Sequence, residues 1–141
     1  AIIDYESLLA KMPNNIVVLN NLAYWLAESN ERLPEALQYA KRALDARPND
    51  PAVLDTYAYL LYKNGKSSQA AEFLVAAFQQ YKQDEVPVPA EAHEHLGMIK
   101  EDLGSKDEAL AAYKQALEAG ANTLSQKTKQ RINEAIKRAS Q

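Results

Sequence analysis

The sequence predicts an all-α fold of stacked antiparallel helix pairs, and three observations predict it. Alanines and large apolar residues recur in the same order in three successive stretches of the 141-residue chain. A polar turn divides each stretch into two segments with the apolar spacing of an amphipathic helix. Helix-starting and helix-ending residues stand at the divisions, while the whole chain holds only four glycines and six prolines.

Composition sets the outer bounds. The chain is 47% hydrophobic with a mean hydropathy of -0.44, which excludes wholesale disorder. No run approaches the roughly 18 apolar residues that a membrane span needs, so no membrane insertion is expected. A net charge of -3 makes no general case for nucleic-acid binding. Cysteine is absent, which removes disulfides, thiolate ligands and a cysteine nucleophile.

The elements follow in chain order. Residues 1–15 read as the second helix of a preceding pair, because Ala1, Tyr5, Leu8 and Pro13 follow the spacing of later second helices. A helix is expected over 2–12, and the missing first helix suggests an array cut from a longer one. A bared apolar flank there would favour self-association. The first full unit is 16–50, with helices at 16–28 and 35–46. Pro34 starts the second of these.

The second unit is 51–84, with helices at 51–63 and 67–81. Asp50 caps its first helix and Pro51 takes the first helical position. Leu54, Tyr57, Ala58 and Leu61 form that helix's inner face, and Asn64-Gly65 ends it. Ala70, Phe73, Leu74 and Ala77 form the facing stripe. Ala36, Ala70 and Ala109 are equivalent, as are Ala43, Ala77 and Ala116. The second interval is longer than the first, and the surplus falls in a linker at 85–89. Val86-Pro87-Val88-Pro89 is expected to be extended, since proline disfavours a helical residue before it.

The third unit is 90–123, with helices at 90–102 and 106–119. Ala23, Ala58 and Gly97 occupy one position in the three first helices, where a minimal side chain admits the partner helix. Residues 124–141 form a terminal helix over 124–139, whose narrow apolar stripe covers the last unit. Charge shifts here: residues 89–123 carry seven acidic and three basic side chains, residues 124–141 one and five. The basic tail reads as a solvated helix face.

These residues carry a resemblance. LNNLAYWL with EALQYAKRAL and ARPND, LDTYAYLLYKNG with QAAEFLVAAF, and HEHLGMIKEDLG with DEALAAYKQALEAG resemble the tetratricopeptide repeat family of paired-helix units. His93, Lys100 and Ala121 depart from its pattern. The resemblance implies a right-handed superhelical solenoid whose first helices line a concave groove. It also implies a scaffold or adaptor that binds a peptide or helix of another protein there. The alternative is a structural assembly or self-association segment of a longer repeat protein.

Carried over position by position, the resemblance implies a protein-binding face of Asn20, Tyr24, Asp55, Tyr59, Tyr62, Glu94, Met98, Glu101 and Asp102. Tyr59 and Tyr62 are expected to be exposed in the groove, Tyr57 and Tyr113 to pack in the core. The acidic third unit suggests a partner with apolar anchors and basic groups. The resemblance also includes a subgroup that clamps a peptide carboxylate, but Asn20 alone fits that arrangement.

No nucleotide, zinc-protease, calcium or serine-hydrolase motif occurs, and no acid–base pair stands out. An enzyme, a cofactor and a metal are therefore not expected. His93 and His95 are two apart and point in different directions on a helix. His93 is expected to be partly buried, His95 on the outer surface. Trp25 is read without a role.

Overall fold

The structure is a computed structural model that describes residues 2–141 as eight helices joined by turns. Ala1, with its expected place in the opening helix, lies outside the described residues. The helices are α1 (Ile2–Lys11), α2 (Ile16–Glu28), α3 (Leu33–Ala46), α4 (Pro51–Lys63), α5 (Ser67–Gln83), α6 (Ala90–Asp102), α7 (Lys106–Ala119) and α8 (Gln126–Ala139). The chain divides into two units at Gln80 and Tyr81, within α5.

In the first unit, α2 packs against α1, α3 and α4. Ile16 and Leu19 of α2 share a shallow groove with Arg42 and Ala46 of α3, so the start of one helix meets the end of the other. The pair is therefore antiparallel. Leu22, Ala23, Leu26 and Ala27 of α2 and Ala36, Ala40 and Ala43 of α3 are fully buried. Small residues on both helices let the axes approach, and leucines fill the remaining space.

Caps close these helices as the sequence requires. The Asp50 carboxylate accepts from the backbone N–H of Ala52 at 3.0 Å and Val53 at 3.4 Å. Gly65 takes a φ of +79° after α4, the left-handed region where a side chain is strained. The Asn64 amide donates to the carbonyls of Leu60 and Leu33, tying the end of α4 to the start of α3. The third helix begins at Leu33 rather than residue 35, because Ala36 N–H already reaches the Arg32 carbonyl. Tyr57 meets Phe73 edge to face at 4.8 Å, which joins α4 to α5.

In the second unit, residues 84–89 form a turn and an extended stretch without helix. Pro89 has φ -62° and ψ 152°, and α6 starts directly after it. Helices α6 and α7 are antiparallel. Gly97 faces Tyr113 while Ala90 faces Gly120 thirty residues on. Ala109, Tyr113, Ala116, Ile132 and Ala135 form the core, with Met98, Leu117, Leu124 and Ile136 packed on it. The last helix starts at Gln126 rather than residue 124, since the Ser125 hydroxyl accepts from Thr128 N–H at 3.1 Å and fixes the cap.

His95 corrects an expectation. It is buried, not on the outer surface. Helix α6 buries two stripes, Ala90–Glu94–Gly97 and Ala92–His95–Ile99, so a step of two residues from His93 leads inward again. His93 is half-buried, and burial lowers its pKa below the usual histidine value.

Candidate functional site

Helices α2 and α4 run side by side in the same direction, because Tyr24 meets Tyr59 and Asn30 meets Lys63 at similar sequence offsets. This alignment makes a row of aromatic rings. Tyr24 and Tyr59 lie 5.7 Å apart between ring centres, tilted by 42°. Tyr59 and Tyr62 lie 6.4 Å apart and nearly parallel at 9°. The Lys63 ammonium stands 5.6 Å from the Tyr59 ring centre and donates to Asn30 Oδ1 at 2.9 Å.

Tyr59 is therefore not the exposed ring that the resemblance implied. It is 2% exposed, because Tyr24, Tyr62 and Lys63 close over it. Tyr24 and Tyr62 are half-buried and show part of their rings. Burial raises the Tyr24 pKa far above the usual phenol value, helped by the charge of Glu28 and a hydrogen bond to it. The charge of Asp55 acts in the same direction. Asn20 and Asp55 are half-buried one turn before Tyr24 and Tyr59. Val17 at 57% and Trp25 at 42% exposure also lie on α2.

The acidic side chains of α6 have a different fate. The side chain of Glu94 is 3% exposed, and both its oxygens accept from Arg131, at 2.7 and 2.9 Å. Glu101 accepts from Arg138 at 2.5 and 2.8 Å and from the Tyr113 hydroxyl at 2.8 Å. Met98 packs on the core, while Asp102 is exposed. The expected acidic face for a basic partner is thus corrected at Glu94 and Glu101, whose partners come from α8. The basic tail is corrected with it: Arg131 and Arg138 do not form a plain solvated face.

Arg131 and Arg138 are the residues that reading the sequence missed. The available signal was a shared step of seven, Glu94 to Glu101 on α6 and Arg131 to Arg138 on α8. Two turns of helix separate both members of each pair, so a parallel neighbour aligns them.

Among the described residues no group of three or more His, Cys, Asp or Glu is placed to hold a metal ion. No helix among them is long and apolar enough to cross a membrane.

Two tetratricopeptide repeat profiles match the chain, over residues 27–88 and 58–122. A TPR repeat-containing protein of Pseudomonas aeruginosa is 35% identical over 94 residues, which is 67% of this chain. The chain spans about 15% of that protein's length. A thermophilic TPR protein of Thermus thermophilus is similar in fold, with a TM-score of 0.69 and 22% identity over 96% of this chain and 71% of its own. YrrB, described as a TPR protein with an unusual peptide-binding site, gives a TM-score of 0.67 at 14% identity, over 99% of this chain and 66% of its own.

Proposed function

Because this chain belongs to the tetratricopeptide repeat family, we propose that it is a protein-interaction module holding a segment of another protein against the tyrosine row of α2 and α4. One observation carries this reading: two half-exposed tyrosines are fixed over a buried third. Rings already held by neighbours lose little further freedom on binding, and tyrosine offers apolar area with a polar tip. Apolar groups of the partner rest on Tyr24 and Tyr62, and Asn20 serves the same face. Basic groups of the partner lie toward Asp55 and Glu28, whose charges act on Tyr24. Met98, Glu101 and Asp102 lie in the second unit, where Asp102 is the exposed member. The peptide-binding site named for YrrB supports a role of this kind.

Peptides selected from a displayed random library on the whole chain provide the ligand for a test. Calorimetry of a selected peptide against Tyr62→Ala and Tyr24→Ala should show a loss of about 1–3 kcal/mol for at least one of them. Ser68→Ala, exposed on α5, should leave affinity unchanged. Undiminished affinity in both tyrosine variants, with loss from substitutions on α3 or α5, would overturn the assignment.

A further inference from the structure

Repetition within the chain allows one position to be compared in three settings. Trp25 of α2 falls where Leu60 stands in α4 and Ile99 in α6, each two places after the small residue Ala23, Ala58 or Gly97. Leu60 and Ile99 are fully buried, whereas Trp25 is 42% exposed. One turn earlier Thr56 and His95 are buried, while Asn21 is half-buried. Helix α1 shows the same difference. Leu8 falls where Ala43 and Ala116 stand, both fully buried, yet it is 40% exposed. Tyr5 matches Ala40 and Tyr113, both buried, and is itself half-buried.

Neighbours explain the difference. Helix α4 packs against both helices before it, α2 and α3, while α2 has α1 alone in that place among the described residues. Likewise α3 packs against α2 before it and α4 after it, whereas α1 packs against α2 after it. One further helix would cover Tyr5, Leu8, Asn21 and Trp25 together, as α2 packs on both α3 and α4. Arg32 and Arg42 of α3 bond Glu6 and the Pro13 carbonyl in the same order, so α1 runs with α3 and against α2. The covering helix therefore runs antiparallel to α1 and parallel with α2.

The flank is two helices wide and no longer than α2, about 20 Å by 20 Å, below the roughly 800 Å² per partner of a standard interface. So small a contact does not offset the ordering of a free peptide into helix, which is marginal in water at this length. The occupant brings its helix already folded. A second copy does so: under a twofold axis along the helices, its α2 runs in the required direction. The spacing agrees. Val18, Asn21 and Trp25 recur at three and four residues, the seam of a parallel helix pair, in which like residues meet and an asparagine pairs with its own copy.

We propose that the flank of α1 and α2 is a self-association surface, on which the α2 helices of two copies pair in parallel and each covers Tyr5, Leu8 and Trp25 of the other. The small area makes the dimer weak and dependent on concentration.

Sedimentation velocity of the whole chain from about 10 μM to about 1 mM, the range of weak contacts, tests this. Mass should rise to twice that of the monomer, and emission of Trp25, the sole tryptophan, should move to shorter wavelength in step. Trp25→Glu and Leu8→Glu should each raise the dissociation constant by about tenfold or more, with circular dichroism showing that each variant is folded. Val75→Glu, 50% exposed on α5, should leave it unchanged. The chain has no cysteine, so Asn21→Cys should give a covalent dimer on mild oxidation, and Gln69→Cys, exposed on α5, should not. A mass that stays monomeric throughout overturns the proposal, as does association that both glutamate variants leave intact. Mass growing beyond two copies, or a dimer that Asn21→Cys does not crosslink, overturns the parallel twofold pairing. A monomer that binds a library-selected helical peptide, and loses it with Trp25→Glu, assigns the flank to another protein and overturns the second copy.

Discussion

A methyl group on Gly97 would stand 2.6 Å from two carbons of the Tyr113 ring. That ring is buried and its hydroxyl is bonded to Glu101, so it has little room to retreat. Gly97→Ala should therefore destabilise the protein by about 1–3 kcal/mol, despite alanine's higher helix propensity. Urea denaturation followed by circular dichroism measures it, and a gain in stability would refute the close approach. Asp50→Ala should cost about 0.5–2 kcal/mol by removing the cap of α4. Both positions were legible as residues, glycine in the small place of a first helix and aspartate before proline. Tyr59 was not. Its register on the tyrosine-bearing face was correct, but its burial depends on Tyr24 and Tyr62 closing over it. Tyr59→Ala should cost about 3–5 kcal/mol of stability, as for other buried aromatic residues, so it is a poor test of binding.

Helix α8 joins its unit through two pairs that differ in burial. Arg131→Ala leaves Glu94 buried without its guanidinium and should cost about 3 kcal/mol. Arg138→Ala breaks a more exposed pair and should cost about 1 kcal/mol or less. Equal effects in denaturant titrations would contradict the burial difference. Acid should act on the same helix. The hydrogen bond from Arg138 holds the Glu101 carboxyl below its ordinary range, the Tyr113 hydroxyl adds to this, and burial opposes it. A lowered folded pKa means that the contribution is present above the unfolded value of about 4.3. It is lost as pH falls through the folded value. Amide protection factors in α8 should fall below about pH 4, and less steeply in Glu101→Gln, which removes the titrating group.

The helices as a set make ties between elements close in the chain. The hydrogen bonds and ion pairs described between them run from 8 residues, Lys100 to Glu108, to 37, Arg131 to Glu94. Contacts of such short reach cost little loop-closure entropy. Refolding from denaturant should finish within milliseconds, as for other helical domains of low contact order. Stopped-flow fluorescence of Trp25 reports the first unit, and a dominant phase of seconds would contradict this account.

The repeat period, the helix order, the caps at Asp50 and Gly65 and the extended prolines at 87 and 89 follow from the order of residues alone. Each is a local property: a hydrophobic period, a side chain reaching its own backbone, a φ that glycine tolerates, a ring that blocks helix. The fate of the charges was different. In the sequence Glu94 and Glu101 have the same standing as Asp102, and Arg131 the same standing as Lys137. Docking of α8 buried one carboxylate and paired another with an arginine, while Asp102 stays exposed. The same kind of choice covered Tyr59 and turned His95 inward. Burial is a property of which helix faces meet, and that depends on packing between residues far apart in the chain, which no local period records.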